Sequence, residues 1–496
     1  QRLPRCDILV NLLPKCKSQS SETEIFEAEM NGNENHGFEH SAAERMSPPQ
    51  TQKEKGYGQV EKKPISLLKI FLLCLLASVI TTAVGVLILA LVYVTEYRPQ
   101  SSSQPQIEIE SPTDSRVDIK YSFLNHLDKS KVFELPGGAI QWARYRKDTS
   151  AYEDEISMQF GRSINERRSK MTIGTLRIKS NGLRLPHWHF NANEHGYLQQ
   201  GKAWIGVVDD GTNIVATYNI TAGQLFFFPK NTLHWVKNVG DEDCVFVLFF
   251  TTHEQLLTLD IDDTFFSTPE DIASRSLKPE GGVKFIRSFS KQKEDQGINL
   301  PANLKDLVTN ASYVQSPDTI VWKYFYDLPG STQFLYPGGI IQWARYRSSP
   351  TNLTENEKIY GESVHEHADT LTMGTLRIYS NGLRQPHFHF NANEMGYVVS
   401  GCGQVGIIGT SVTDFQINVG DVFFFPIGTQ HYIQSSCTED LLLILGFTTG
   451  DQLETLDMDD YFNAAADHIL AQAFHKPQNE FQKIPVFKDD QAVNIP

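Results

Sequence analysis

The chain has 496 residues, with 44 Lys or Arg against 59 Asp or Glu, so its formal net charge at pH 7 is -15. No basic stripe offsets that acidic balance, and this argues against nucleic acid as a partner. The length leaves room for two or three domains.

The first segment is not expected to fold. Residues 1–64 are rich in Ser, Glu, Asn, Lys and Gln and have no sustained apolar period. Such a composition cannot bury enough apolar surface to offset the entropy of ordering the chain. We interpret residues 1–64 as a disordered cytoplasmic tail.

A transmembrane signal-anchor helix is predicted next, over residues 65–96. The run from Ile70 to Val94 is uncharged and mostly apolar, and as a helix it would span roughly 37 Å, enough for a bilayer core of about 30 Å. The alternatives are a buried globular helix or a signal-peptide core, but the run is too long for the latter and too far from the N-terminus. Basic residues cluster on its N-terminal side: Lys53, Lys55, Lys62, Lys63 and Lys69. The positive-inside rule therefore predicts a single-pass type II protein whose remaining domains are extracellular or lumenal.

Residues 97–118, rich in Ser and Pro, are predicted to form a stalk. Glycosylation sequons occur only after the membrane segment, which favours the same orientation and a glycoprotein. They begin at Asn219, Asn310 and Asn352.

Cysteine gives little guidance to the fold. Cys6, Cys16 and Cys74 fall in the tail and membrane segments, which leaves three for the rest of the chain. A bridge between Cys402 and Cys437 is one interpretation, but we favour buried free thiols, including Cys244.

A long repeat organises the remainder into two units, residues 119–290 and 320–496, joined by a linker at 291–319. The stretch Pro136 to Arg146, for example, returns as Pro337 to Arg347. Short segments rich in Val, Ile, Phe and Tyr alternate with Gly, Pro and Asn, which is typical of antiparallel barrels. The sequence thus predicts an all-β protein: two tandem barrels with short flanking helices, preceded by one transmembrane helix.

The same metal-binding pattern occurs once in each unit. A His-x-His pair in a strand presents both rings to one face of a sheet. The Asn-Ala-Asn that follows favours a turn, which returns a glutamate beside them, and a third histidine opens a later strand. One such pair alone would be unremarkable, but the complete set twice predicts two metal sites. Their ligands are His187, His189, Glu194 and His234 in the first unit, and His387, His389, Glu394 and His431 in the second.

Each barrel is followed by an acidic stretch. These stretches lack the glycine and terminal glutamate of a calcium-binding EF-hand, so a solvated role flanking helices is predicted. In the first unit, Thr268, Pro269 and Asp271 predict the start of a helix that continues through Ile272 to Leu277. The acidic stretches are Leu259 to Asp263 and Leu456 to Asp460.

Together these motifs resemble a known family. The four residues between His189 and Glu194 match the spacing of the cupin motif in germins, and the doubled arrangement resembles the bicupin oxalate decarboxylases over roughly residues 120–490. Departures are small. Asn231 stands where the family motif has a glycine, and Ser435 stands where the first copy has Asn238; neither residue is a ligand. The resemblance implies double-stranded β-helix (jelly-roll) barrels, assembled as trimers or hexamers.

Ligand type alone does not select the metal. Three imidazoles and one carboxylate admit several divalent transition metals, and they leave two adjacent positions open on a six-coordinate ion. A closed structural zinc site more often uses four tetrahedral ligands with thiolate among them. The resemblance implies Mn(II) in both sites.

An arginine precedes each motif by three residues, at Arg184 and Arg384. A surface or rim charge is the ordinary interpretation. A guanidinium can also hold a carboxylate with two parallel hydrogen bonds, and the resemblance places the substrate arginine here. The predicted substrate is therefore oxalate or a close relative.

A decarboxylase also needs a proton donor. The resemblance assigns that role to a glutamate on a short segment after the first barrel, where this chain has Glu254 in different sequence surroundings. An ordinary loop glutamate is the alternative. Asp451 is the counterpart in the second unit, and Leu248 and Leu445 leave no acid on the final strands.

The sequence thus predicts a membrane-anchored metalloenzyme, most simply a carboxy-lyase that converts oxalate to formate and CO2. One alternative is a germin-like oxalate oxidase that passes electrons to O2 and makes peroxide. Others are a non-catalytic cupin that binds metal or ligand, as in seed-storage bicupins, or a dioxygenase or isomerase with another substrate. The first site is favoured as the active one, because only its unit has His253 and Glu254.

Overall fold

The computed structural model describes residues 123–209, 214–291, 297–349, 351–409, 412–485 and 493–495. The predicted tail, membrane helix and stalk lie outside these ranges, as do Cys6, Cys16 and Cys74. Within the described ranges, no helix has both the length and the apolar character needed to span a bilayer.

Thirteen short strands lie in the described residues of the first half. They are β1 (Leu124–His126), β2 (Val132–Leu135), β3 (Gly138–Ala143), β4 (Thr172–Ile178), β5 (Leu183–His189), β6 (Glu194–Gln200), β7 (Lys202–Asp209), β8 (Ile214–Thr221), β9 (Leu225–Phe228), β10 (Leu233–Asn238), β11 (Cys244–Phe250), β12 (Thr258–Asp260) and β13 (Ile298–Asn299).

The second half repeats the set. Its strands are β14 (Phe325–Tyr326), β15 (Gln333–Tyr336), β16 (Gly339–Ala344), β17 (Thr372–Ile378), β18 (Leu383–His389), β19 (Glu394–Ser400), β20 (Cys402–Ile408), β21 (Val412–Asn418), β22 (Asp421–Phe425), β23 (Gln430–Ser435), β24 (Leu441–Phe447), β25 (Thr455–Asp457) and β26 (Val493–Asn494).

Helices in the described ranges are short and flank the sheets. They are α1 (Glu155–Glu166), α2 (Ile261–Ser267), α3 (Glu270–Leu277), α4 (Val283–Ile286), α5 (Leu304–Leu307), α6 (Asp318–Val321), α7 (Glu355–Glu366), α8 (Met458–Ala464), α9 (Asp467–Phe474) and α10 (Gln478–Phe481), with 3-10 turns at Leu127–Lys129 and Thr149–Ala151. The predicted helix after the first barrel is α3, which begins one residue after Pro269.

Each half is built from two antiparallel sheets. In the first, the strand order is β14-β9-β6-β11-β4-β3-β2 in one sheet and β12-β5-β10-β7-β8 in the other, with β13 paired to β5. The second half has the same arrangement, with β1-β22-β19-β24-β17-β16-β15 and β21-β20-β23-β18-β25. This confirms the predicted all-β architecture of two tandem barrels.

The two barrels exchange one strand each. β1, which precedes the first barrel in sequence, pairs with β22 of the second, so that Leu124 lies opposite Phe423. β14, which precedes the second barrel, pairs with β9 of the first, so that Phe325 lies opposite Phe226. Each seven-stranded sheet is therefore completed by chain from the other half, which the repeat alone does not predict.

The phenylalanine runs on β9 and β22 follow from this junction. All four residues of β9 are buried, although a strand with one solvent face should alternate. Phe226 and Phe228 pack inside the first barrel, whereas Leu225 and Phe227 pack in the core between the barrels. A strand with both faces buried needs no polar position.

The cysteine interpretation is wrong for one pair. Cys402 and Cys437 form a disulfide with a Cα–Cα distance of 5.5 Å, within the usual range for such bonds. Cys244 is a buried free thiol, as predicted.

Candidate metal centres

The strand layout brings each predicted ligand set together. β5 ends at His189, the Asn-Ala-Asn turn reverses the chain, and β6 begins at Glu194. β10 pairs with β5 so that His234 lies opposite His187. In the second barrel His431 lies opposite His387 in the same way.

The ligand atoms converge on one point in each barrel. In the first, Glu194 Oε2 is 3.0 Å from His189 Nε2 and 3.2 Å from His234 Nε2, and His234 Nε2 is 3.0 Å from His187 Nε2. In the second, Glu394 Oε2 lies 3.0 Å from His389 Nε2 and 3.1 Å from His431 Nε2. All eight side chains are buried, and the ligand atoms of each set lie within 4.8 Å of one another.

Backbone carbonyls orient two rings in each set. His187 Nδ1 is 2.7 Å from the carbonyl oxygen of Leu185, and His234 Nδ1 is 3.0 Å from that of Thr232. Because a carbonyl can only accept, each Nδ1 donates the proton, and Nε2 keeps its lone pair. Such outer hydrogen bonds fix the tautomer that a metal requires.

The charge states also suit a metal. Burial, with a further contribution from the Arg184 charge, lowers the pKa of His187 well below its usual range. Burial also lowers the pKa of His189, to about 4. For Glu194, burial alone would raise the pKa, but the ring nitrogens of His189 and His234 outweigh it and lower the pKa to about 2. At neutral pH, His187 and His189 are therefore neutral, and Glu194 is a carboxylate anion.

The residues fit a divalent transition metal. Metal–ligand bonds of about 2.1 Å at right angles separate neighbouring ligand atoms by about 3 Å, and the nitrogen–oxygen distances in both sets match that value. The two sets confirm the prediction of one metal-binding group per barrel.

Each set opens onto a small, largely apolar cavity. In the first barrel about 350 Å³ of space is bounded, besides ligands, by Ile140, Trp142, Leu176, Arg184, Val236, Leu248, Phe250 and Leu256. In the second about 320 Å³ is bounded by the equivalent Ile341, Trp343, Leu376, Arg384, Ile433, Leu445 and Phe447. The arginine is the one charged wall residue that is not a ligand.

Both arginines are paired with a buried aspartate. Arg184 Nη1 donates to Asp260 Oδ1 at 2.9 Å and Oδ2 at 3.1 Å, and also to the carbonyl of Gly297 at 3.3 Å. Arg384 Nη2 donates to Asp457 Oδ1 at 2.9 Å. The prediction that the acidic stretches are solvated is therefore wrong for Asp260 and Asp457, which are 2% and 1% exposed.

These aspartates were missed because their partners are remote in sequence. β12 pairs with β5, so that Asp260 lies opposite His187, and β25 places Asp457 opposite His387. The signal available was the recurrence of Leu-Asp after each barrel, at the same distance from the third histidine, His234 or His431.

The two sites differ beside the arginine. Gln385 replaces Leu185, and its Nε2 donates to Asp457 Oδ2 at 3.0 Å and Asp459 Oδ1 at 2.6 Å. The second site therefore carries a polar network where the first has an apolar side chain.

Glu254 does not lie in the metal cavity. Its side chain is exposed, whereas Leu256 of the same segment lines the cavity. The 251–257 segment is held by Asn191, whose Nδ2 donates to the Gln255 carbonyl at 2.9 Å and whose Oδ1 accepts from Leu257 N–H at 2.9 Å. In the second barrel, Asp451 instead pairs with His365 at 2.9 Å.

Comparison with known proteins gives consistent results. The family model described as Cupin matches residues 162–278 and 348–480, just over half of the chain, and a CLLAC-motif containing domain matches residues 64–93. An oxalate decarboxylase of Arthroderma benhamiae is 21% identical over 435 residues, covering 79% of this chain and 90% of that protein. A Bacillus subtilis oxalate decarboxylase is 28% identical over 182 residues, covering 35% of this chain and 46% of that protein.

Solved structures show the same fold. A structure of Bacillus subtilis oxalate decarboxylase, from a study of its Mn(II) centres, has a TM-score of 0.59 at 15% identity and covers 80% of this chain and 98% of that one. The resemblance inferred from the two motifs is confirmed.

Proposed function

This chain belongs to the cupin family, and we propose that it is an oxalate decarboxylase that uses manganese to convert oxalate to formate and CO2. One observation carries the proposal. In each barrel, a buried set of three histidines and a glutamate shares a small apolar cavity with a buried arginine. The names of the relatives support manganese as the metal and oxalate as the substrate.

The charges of the first cavity favour a small anion. Glu194 contributes one negative charge, and the Arg184–Asp260 pair is neutral as a unit. A divalent cation in the ligand set therefore leaves a net charge of about +1, in surroundings where apolar walls strengthen electrostatic attraction. Manganese would supply Lewis acidity and one-electron chemistry.

Arg184 is positioned to hold the substrate. All the hydrogen bonds that its guanidinium makes to described residues use Nη1. Donors on Nη2 and Nε remain for a carboxylate in the cavity that Arg184 lines. Asp260 fixes the plane of the guanidinium, so little side-chain entropy is lost when substrate binds.

The reaction breaks the C–C bond of oxalate, releases CO2 and adds one proton to the remaining carbon to give formate. Glu254 is our candidate donor. For it to act, the 251–257 segment must turn so that Glu254 replaces Leu256 at the cavity wall. Asp451, its counterpart, is paired with His365, and this favours turnover in the first site.

One observation favours oxalate oxidation as the second candidate function. In the described arrangement Leu256, an apolar side chain, occupies the wall where a donor is needed. Oxidation of oxalate by O2 gives two CO2 and hydrogen peroxide, and no carbon has to be protonated. A non-catalytic binding role would not require the complete ligand set in both barrels.

The proposal includes a type II membrane anchor with both barrels outside the cytoplasm. The apolar run from Ile70 to Val94 supports the anchor. The Cys402–Cys437 disulfide supports an oxidising compartment. Two sequon asparagines, Asn310 and Asn352, are exposed and therefore available to glycosylation. Assembly into trimers or hexamers stays a prediction.

The test uses the full chain purified with manganese. We expect about two metal ions per chain, and oxalate should yield formate and CO2 in equal amounts without peroxide. Peroxide with CO2 and no formate would select the oxidase. Stoichiometric metal without either product would refute an oxalate enzyme, and failure to bind metal would refute the site itself.

A further inference from the structure

Each barrel carries a pair of neighbouring arginines outside its metal centre. Arg144 and Arg146 follow β3, and Arg345 and Arg347 follow β16, at the ends of identical Gln-Trp-Ala-Arg-Tyr-Arg runs. All four are half-buried. Among the described residues, none of the four guanidinium groups forms a hydrogen bond or an ion pair. Buried or half-buried cations without a partner are uncommon, because burial penalises the charge.

Aromatic rings hold these cations in place. The Arg345 guanidinium lies 4.6 Å from the ring centre of Trp343, and that of Arg347 lies 5.6 Å from the ring of Phe334. Burial, and then the neighbouring Arg347, lower the pKa of Arg345 to about 10. Two like charges are thus kept close together in a poorly solvated place, and an anion between them would relieve the cost.

A cavity lies beside the second pair. About 240 Å³ of space is bounded by Tyr326, Phe334, Trp343, Arg345, Arg347, Leu353 and Glu357. Trp343 also lines the metal cavity of that barrel. The two cavities therefore share one wall, the side chain of Trp343.

Glu357 is the one carboxylate in this lining, and its interactions lie elsewhere. It accepts from the backbone N–H of Thr332 at 3.1 Å and of Thr354 at 2.7 Å, which completes the capping box of α7. The repeat places Ser157 at this position in the first barrel, although the arginine pair is retained there. Glu357 is therefore not a general counter-ion of the arginine pair.

We propose that Arg345 and Arg347 form a second anion site, which holds a small carboxylate next to the metal cavity across Trp343. Two guanidinium groups and one carboxylate give the site a net charge of +1, which suits a monoanion. The space is narrow and partly open to solvent, which suits only a small anion such as formate. The choice of formate rests on the proposed function, whose product it is.

The test measures binding without metal. The full chain is stripped of metal and dialysed to equilibrium against radiolabelled formate. We expect the double variant R345Q/R347Q to lose one bound formate per chain. The variant R345K keeps the positive charge but loses the planar guanidinium, whose donors match a carboxylate. It should bind formate at least tenfold more weakly than the wild type. Thermal unfolding checks that each variant is folded.

Two controls locate the bound formate. R275Q changes an exposed arginine on α3, and H387Q changes the metal set of the same barrel; both should bind formate as the wild type does. The proposal is overturned if metal-stripped wild type binds no formate, if R345Q/R347Q keeps all of it, or if H387Q loses as much. Failure of the oxalate reaction would be seen separately, as absence of product from the manganese-loaded chain.

Discussion

Replacing Asp260 with Asn should strongly destabilise the first barrel. The change removes the charge that balances buried Arg184, which Asp260 holds with contacts of 2.9 and 3.1 Å. It also weakens the acceptor of the Gly297 N–H, now 2.6 Å from Asp260 Oδ2. Breaking one partner of a buried ion pair costs about 3–5 kcal/mol. For domains of this size that corresponds to a fall in Tm of roughly 10 °C.

The pair itself is not expected to be a net stabiliser. Burial raises the pKa of Asp260, even though the Arg184 charge opposes that shift. Desolvation therefore outweighs the attraction. Replacing both residues together, as R184M/D260L, should change stability by about 1 kcal/mol or less, or even increase it.

The assay is thermal and urea unfolding of the metal-stripped chain in a double-mutant cycle: D260N, R184M, the double replacement, and D271N as an exposed aspartate control on α3. The reasoning is refuted if D260N costs less than about 1 kcal/mol, or if the double replacement is as harmful as the single one. D260N should also raise KM for oxalate more than it lowers kcat, because the guanidinium is no longer oriented before substrate binds.

Three further predictions concern pH, the proton donor and packing. The pKa of His189 falls from 6.5 to about 4 on folding, so between those values the unfolded chain binds a proton that the folded chain does not. The metal-stripped chain should lose stability as pH falls through that window, and a constant urea midpoint from pH 6.5 to 4 would contradict this. E254Q should abolish formate production, while D451N should leave it intact; equal activity of wild type and E254Q would remove Glu254 from the mechanism. A Cβ at Gly196 would lie 2.1 Å from the Phe226 ring, whereas one at Gly240 would have its nearest neighbour at 3.5 Å. G196A should therefore destabilise the barrel by roughly 1–3 kcal/mol or more in urea unfolding and weaken metal binding through Glu194, and G240A should do neither.

Local chemistry made the ligands readable from the sequence. A strand of period two, a turn signal and a returning glutamate act over a dozen residues, and the repeat shows the pattern twice. The β content was predicted from short segments rich in Val, Ile, Phe and Tyr that are separated by Gly, Pro and Asn. None of these inferences requires knowledge of which strands meet at a distance.

The arginine partners required the fold. Asp260 lies in a stretch whose composition indicates solvent exposure, and only the pairing of β12 with β5 brings it to Arg184. The exposure of Glu254, opposite to what an acid of the first cavity needs, is likewise decided by how Asn191 holds the 251–257 segment.

The sequence by itself determined the two barrels and their eight ligands, because six ligands lie within two short motifs and the other two, His234 and His431, recur at corresponding places in the repeat. The tertiary structure decided the exchange of β1 and β14 and the Cys402–Cys437 disulfide. It also decided the neutralisation of each cavity arginine by a buried aspartate. These features join residues far apart in the chain, and a pairing of that kind is fixed by burial and register rather than by any neighbouring residue.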